Sequence, residues 1–575
     1  MSTAAPNDPA PVETSPAAPQ GGFFGHPKGL RTLFFTEMWE RFSYYGLRAL
    51  LTIFLAAPLT GANPGFGLTD GTASAIYGLY IFFVYVLSLP GGWVADNIWG
   101  QKKAIFVGGC IIAAGHFTMA GPLVGLPDGP TFFLGLALVA IGTGFLKPNV
   151  SSVVGDLYPE GGARRDAGFS VFYMAINIGA FAGPILCGFL GEGYNWHWGF
   201  SLAGFGMVLG LIQYRLGAHH LDGVGDYAGS ATSGVLARRE RLFYLIAAGF
   251  LALVGVLGFL LATDRLGLSL EEFAGSLGLV VVTITVGFFA YIIFFGGHTP
   301  LEKRRLGVIL WLFVLAALFW SGFEQAGSSL NLFAFDLTDR TYGPVGWLDG
   351  FGAFVPALLV GIVLAFVIYR VSQRPEITTN WTLLFGLIAL GISAFVYWVS
   401  RQLATEWEMP ASFLQSVNPI FIILLAPVFG SLWVWLSKRN ANPSIPAKFG
   451  LGLLGLAAGF FVLSWGAANA SPDNLASPAW LVVTYFFHTC GELCLSPVGL
   501  SSMTKLAPKN RVGQMMGIWF VATALGNLMA GLIAGQIENL PPSDLFGTVA
   551  MIIGGGGILA LLAAPPVRKL MGDIK

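Results

Sequence analysis

Charge is what this sequence has least of. Only 10% of its 575 residues are Asp, Glu, Lys or Arg, where a soluble globular chain carries roughly 25%. That shortage excludes a cytosolic enzyme and a disordered protein. The 30 Lys+Arg are matched by 30 Asp+Glu, so there is no surplus of positive charge from which to build a nucleic-acid face, and no nucleic-acid partner is expected. Cysteine is scarce too. Cys110, Cys187, Cys490 and Cys494 lie in apolar runs, and the last two stand one helical turn apart, poor geometry for a disulfide. They read as packing residues, not a secreted framework. No Gly-rich Lys-Ser/Thr loop is present, so nucleotide hydrolysis is not the expected energy source. Residues 1–28 are rich in Pro, Ala, Ser and Thr and lack the basic-then-apolar layout of a signal peptide. They read as a flexible tail.

Apolar surface fills the space that charge leaves. Hydrophobic residues make up 55% of the chain and its mean hydropathy is +0.71. The 78 glycines suit helices that approach closely in lipid. Apolar runs near the ~20 residues needed to cross a bilayer fall at about 30–57, 73–95, 103–122, 131–152, 167–190, 197–217, 242–262, 276–296, 306–330, 351–369, 381–400, 412–437, 448–468, 478–500, 512–537 and 547–566. The expectation is an all-α polytopic membrane protein with about sixteen transmembrane helices. Basic residues occupy alternate loops: Lys102/Lys103, Arg164/Arg165, Arg238/Arg239/Arg241, Lys303/Arg304/Arg305, Arg370/Arg374, Lys438/Arg439 and Lys505/Lys509/Arg511, then Arg568, Lys569 and Lys575 in the tail. Arg265, Arg340 and Arg401 are the exceptions on the other side. The positive-inside rule then places both termini in the cytoplasm. The pair at 242–296, after the polar linker 218–241, and the pair at 345–405 each return the chain to the side it left. Without them twelve helices remain, six before the linker and six after.

A charge at membrane depth costs at least ~2.5 kcal/mol, so the few present are informative. The first run contains Glu37, Glu40, Arg41, Tyr44, Tyr45 and Arg48. At ~100° per residue Glu37, Arg41, Tyr44 and Arg48 share a narrow arc with Glu40 beside it. Two acids beside two bases let one proton switch which pairs form, although a purely structural ion-pair cluster has the same composition. Lys147, Glu324 and Glu492 are isolated in other apolar runs, and Lys147 sits close enough to a loop to snorkel. His488 precedes Glu492 by one turn; it either tunes that carboxylate or bonds to backbone. Basic groups thus come from the first half (Arg41, Arg48, Lys147) and isolated acids from the second (Glu324, Glu492). If the halves face each other across a wet cavity, the slot is dipolar and fits a zwitterion with separated ends. Asn177, Asn418, Tyr80 and Trp519 are candidates to line it. Gly92-Trp93-Val94-Ala95-Asp96, followed by Gly100-Gln101-Lys102-Lys103, reads as a tight turn in which Asp96 caps a helix, and resembles the loop motif of the major facilitator superfamily.

Together these residues resemble the proton-dependent oligopeptide transporter family. The first-helix pattern E-x-x-E-R-F-x-Y-Y-G stands intact at Glu37–Gly46, and F-Y-x-x-I-N-x-G at Phe172–Gly179. Lys147-Pro148-Asn149, Glu324-Gln325, Gln415-Ser416-Val417-Asn418-Pro419 and Gly491–Pro497 also match, over residues 29–217 and 303–570 with 345–405 excluded. The resemblance implies a major facilitator fold: a six-helix bundle at 29–217, a linker and extra hairpin at 218–302, and a second six-helix bundle at 303–575 carrying the inserted pair. It implies that Glu37, Glu40 and Arg41 form the proton-coupling cluster, with Lys147 exchanging salt bridges with it. Arg41, Arg48 and Lys147 would receive a peptide carboxylate, and Glu492 the peptide amine, helped by Asn177 and Asn418. Glu324 would pair with a first-helix arginine as the outer gate closes. Tyr44, Tyr45, Tyr80 and Trp519 would line side-chain pockets. Gly78 stands where some relatives have a proton-handling histidine, so coupling would rest on carboxylates.

The expected function is a symporter of the bacterial inner membrane that imports di- and tripeptides with protons by alternating access. Lipid and protons are its other partners, no cofactor or metal is implied, and a monomer is expected. Two other readings stay open at this point: a related carrier for a small anion such as nitrate, which would have no ammonium for Glu492 to bind, and a polytopic membrane enzyme built around His488, Cys490 and Glu492. The role of the pair at 345–405 has no reading from sequence beyond a lipid-facing accessory or a dimer contact.

Overall fold

The computed structural model describes residues 23–572 apart from 160–161, 228, 230–232, 263–264, 266, 374–378 and 509–510. The tail expected at 1–28 thus lies outside the described residues up to position 22, as do Arg374, Lys509 and Lys575 of the basic loops. Its last residues are not a tail. Phe23 and His26 pair through their backbones, and His26 Nδ1 lies 2.9 Å from the Tyr158 hydroxyl, which ties this turn to the first bundle.

Sixteen helices follow among the described residues. The first six are α1 (Lys28–Ala56), α2 (Asp70–Trp99), α3 (Gln101–Met119), α4 (Asp128–Asp156), α5 (Gly162–Gly191) and α6 (Trp196–Gly217). Next come α7 (Ser233–Ala262), α8 (Leu270–Phe295), α9 (Pro300–Asp336), α10 (Phe354–Ser372) and α11 (Thr379–Leu403). The last are α12 (Ala411–Lys438), α13 (Ile445–Gly466), α14 (Ala479–Leu506), α15 (Val512–Ala534) and α16 (Pro542–Met571). Eleven are long and apolar enough to cross a membrane. Helix α1 is not among them because of the charges it carries. Capping boxes start two helices, Ser269 with Glu272 for α8 and Thr299 with Glu302 for α9. The expected cap by Asp96 is not made: Asp96 sits in a π-turn, Ala95–Trp99, and Gly100, at a φ of 77°, takes the N-cap position of α3 with no side-chain cap.

Helices α1–α6 pack on one another, as do α9 with α12–α16. Within and between these groups glycine permits the contact. A Cβ at Gly179 of α5 would press on the Met38 carbonyl of α1 and stand 2.8 Å from the Arg41 Cβ. Between the groups, a Cβ at Gly78 of α2 would lie 3.1 Å from the Cα of Gly531 in α15, so two backbones cross with nothing between them. Helix α8 covers that crossing, where Ala274 packs with Phe82, Ala524 and Leu528.

Two helices depart from regular α geometry where the two groups meet. Helix α9 tightens to 3-10 geometry at Glu324–Gly327 and breaks at Ser328, and α12 begins as a 3-10 segment, Ala411–Ser416. The pair α10–α11 is enclosed by a clip that sequence patterning did not suggest: Thr341 and Tyr342 pair antiparallel with Glu408 and Trp407. Arg340 reinforces it, donating to the Met409 carbonyl at 2.6 Å and the Phe335 carbonyl at 3.0 Å and pairing with Glu408 at 2.7 Å. The insertion therefore leaves α9 and rejoins α12 at one point.

Candidate functional site

The charged arc of α1 is buried, and each charge has found a partner. Arg41 Nε lies 2.9 Å from Glu37 and 2.5 Å from Glu40, with both carboxylates and the guanidinium almost fully enclosed. Two acids therefore share one base. Lys147, from α4, lies within electrostatic reach of all three, but its ammonium rests 3.6 Å from the centre of the Tyr85 ring and makes no ion pair among the described residues. Excess buried carboxylate, with a cation held one step away on an aromatic face, is an arrangement in which gaining one proton changes which pair is favoured.

Two turns further along α1, Arg48 pairs with Glu324 of α9 at 3.1 Å. Glu324 stands where the regular part of α9 ends and the 3-10 turn begins. Around this pair the halves are sewn together by other bonds. Thr52 donates to the Gly327 carbonyl at 2.9 Å, Asn331 to the Ala49 carbonyl at 2.9 Å, and Tyr77 to the Glu324 carbonyl at 3.2 Å. These contacts gather toward the end where α1 finishes, called distal here.

Beneath them lies a chamber of about 110 Å³. Arg48 and Tyr45 of α1, Tyr85 of α2, and Tyr173 and Asn177 of α5 line one wall, and Trp320, Glu324, Gln415, Asn418, Tyr485, His488 and Glu492 the other. Glu492 is 9% exposed and has no cation partner among the described residues. Asn418 donates to it at 3.3 Å and to the Thr489 hydroxyl at 2.9 Å. Asn177 donates back to its own helix at Tyr173, at 2.9 Å. His488 forms no ion pair with Glu492; its ring packs against Phe460, centroids 4.7 Å apart. Among the described chamber-lining residues, the Gln415 amide, the Trp320 indole, Arg48 Nε and the His488 ring nitrogens have no hydrogen-bond partner. Small-molecule sites usually span ~300–1,000 Å³, so the chamber is contracted. A wider depression on α12, at Pro427, Gly430, Ser431 and Lys438, opens to the outer surface and holds no comparable set of charges.

Of the residues singled out from sequence, Tyr45, Arg48, Asn177, Glu324, Asn418 and Glu492 meet at the chamber. Arg41, Tyr44, Tyr80, Lys147 and Trp519 do not line it. Tyr80 is buried with an unpartnered hydroxyl, and Trp519 lies against Gly499 and Phe449. Sequence reasoning passed over Tyr85, Tyr173, Trp320 and Tyr485. Helical spacing pointed to three of them: Trp320 stands four residues before Glu324, Tyr173 four before Asn177, and Tyr485 seven before Glu492.

The family model for the POT family matches residues 102–404 and 384–548. The chain belongs to the POT family. It is 37% identical to a peptide transporter, YePEPT, of Yersinia enterocolitica, over 98% of this chain and 99% of that protein. A di-/tripeptide transporter of Lactococcus lactis is 32% identical over 96% of this chain and 98% of its own length. Among solved structures, a POT peptide transporter crystallised with sulfate shares 35% identity at a TM-score of 0.76, covering 96% of this chain and 97% of that one. Membership makes this POT chain an integral membrane transporter, and the enzyme reading is set aside.

Proposed function

We propose that this transporter imports di- and tripeptides across a bacterial inner membrane, driven by a proton gradient and with no cofactor. The observation that carries the reading is Glu492, a buried carboxylate facing the chamber with no cation partner among the described residues. Leaving such a charge unpaired is costly, and a substrate ammonium supplies the missing partner. Nitrate offers none, which disfavours the small-anion alternative. Arg48 on the opposite wall is already engaged with Glu324, so a peptide carboxylate must compete for it; Arg41 and Lys147 reach substrate only if the chamber enlarges toward them. Relatives named as peptide and di-/tripeptide transporters support the same substrate class.

In this reading Glu37, Glu40 and Arg41 are the proton-handling set. Both termini lie in the cytoplasm, the distal end faces outward, and the protein acts as a monomer with its lipid. The halves rock about the chamber, with the Arg48–Glu324 pair breaking each time the distal end opens. The test is uptake of a labelled dipeptide into proteoliposomes under an inward proton gradient. Concentrative uptake that collapses with the gradient is the expected result; uptake indifferent to the gradient, or competed by nitrate and not by peptides, overturns it.

A further inference from the structure

The inserted pair α10–α11 has no part in the mechanism described so far, yet it does not simply project into lipid. Its two helices stack on each other through Phe354 and Tyr397, centroids 4.3 Å apart. The distal end of α11 then runs into a continuous row of aromatic rings. Trp398 meets Phe189 of α5 at 4.3 Å between centroids, and meets Trp407 at 5.7 Å. Phe395 and Trp407 each reach Phe413 at 6.4 Å. Phe189 belongs to the first half and Phe413 to the 3-10 segment that opens α12, so the row spans the seam between the halves.

A polar contact crosses the same seam immediately beside it. Glu192, just past the end of α5, is half-buried, and its two carboxylate oxygens accept the backbone N–H groups of Ala411 at 2.8 Å and Ser412 at 2.9 Å. Those are the first donors of the 3-10 segment, which have no partner within the helix. Ser416 closes the other end of the segment, donating to the Phe181 carbonyl at 2.8 Å. Asn63 fixes the Glu192 backbone by donating to the Gly191 carbonyl at 2.7 Å. Nothing about the substrate calls for this construction. Its geometric effect is to hold residues 411–416 against α5, and the same segment carries Gln415, with Asn418 one turn on, into the chamber wall.

We propose that the inserted pair and Glu192 form a brace that holds segment 411–416 closed across the distal seam, so that they set how readily the outer side opens. Charge-assisted bonds to backbone N–H are directional, whereas the aromatic row is tolerant of small shifts. The first therefore defines the closed position and the second resists departure from it. Trp398 and Glu192 are positioning residues: neither lines the chamber, and both act through the segment they hold.

The test uses the full chain with its four cysteines replaced by alanine, spin-labelled at Leu126 and Leu475, exposed positions of the two halves in distal loops. Distances are measured by pulsed dipolar spectroscopy in lipid nanodiscs. The share of molecules at the longer distance should rise about threefold in Trp398→Ala and about tenfold in Glu192→Gln, the scale of one aromatic pair and one charge-assisted hydrogen bond. Trp398→Phe should restore the parent distribution. Phe395→Leu provides a milder change should Trp398→Ala not fold, and is expected to move the distribution in the same direction. Folded variants whose distributions match the parent overturn the proposal. Because the readout needs no transport, it stands whatever the substrate proves to be.

Discussion

Replacing Glu492 with glutamine isolates a charge on the chamber wall that has no cation partner among the described residues. The side chain keeps its volume and its place beside Asn418, so the change removes charge and little else. A hydrogen bond between two ionised groups is worth about 1.5–3 kcal/mol, which at 1.4 kcal/mol per decade is roughly 10–150-fold in affinity. The assay is inhibition of labelled dipeptide counterflow in proteoliposomes by an unlabelled dipeptide and by its N-acetylated form. In the parent, acetylation should raise the inhibition constant by that factor. In Glu492→Gln the free dipeptide should bind worse by a similar factor, and acetylation should then cost little. The four values close a double-mutant cycle whose coupling term reports the Glu492–ammonium contact. If acetylation weakens binding equally in both proteins, the coupling is zero and Glu492 does not hold the amine.

Glu40→Gln should abolish gradient-driven uptake while leaving peptide exchange measurable, because it removes one of the two acids that share Arg41; a variant that still concentrates peptide as the parent does would refute the coupling role. Glu324→Gln leaves Arg48 buried without its partner, a loss worth ~3–5 kcal/mol when one member of a buried pair is removed; thermal unfolding in detergent should shift down, and an unchanged midpoint would count against the pair. Tyr85→Leu removes the ring beneath the Lys147 ammonium, a contact worth ~0.5–2 kcal/mol, and should alter the pH profile of uptake more than the KM for peptide. Gly531→Ala should wedge α15 from α2 at Gly78 and Ser74, lowering transport at normal expression, whereas Gly555→Ala, with nothing within reach of its new methyl group, should behave as the parent does.

What could be read from residues alone was whatever repeats along one helix. Glu37 and Arg41 are four apart, so their ion pair follows from helical geometry once the run is taken as a helix. The opposition of Arg48 and Glu324 followed from asking where buried charges could go. Contacts across long stretches of chain were invisible for a physical reason. Glu192 looks like any acid at the end of a membrane helix, and nothing local says that the amides of Ala411 and Ser412, 219 and 220 positions later, will need an acceptor. Tyr85 was passed over in favour of Tyr80 because five residues of helix turn one ring into the chamber and the other into packed neighbours. The pair at 345–405 had no reading because its role lies in what its aromatic end touches, not in its own pattern.

The bare crossing of Gly78 and Gly531 has a mechanical corollary. Elsewhere the halves are joined by specific, breakable bonds near one end, but here smooth backbones meet with no interlocking teeth. Such a joint can roll through a large angle while its contact area hardly changes, so it adds little to the barrier between orientations. The timing of the cycle is left to the fastenings at the rim, and a single methyl group at this axle would turn a bearing into a ratchet.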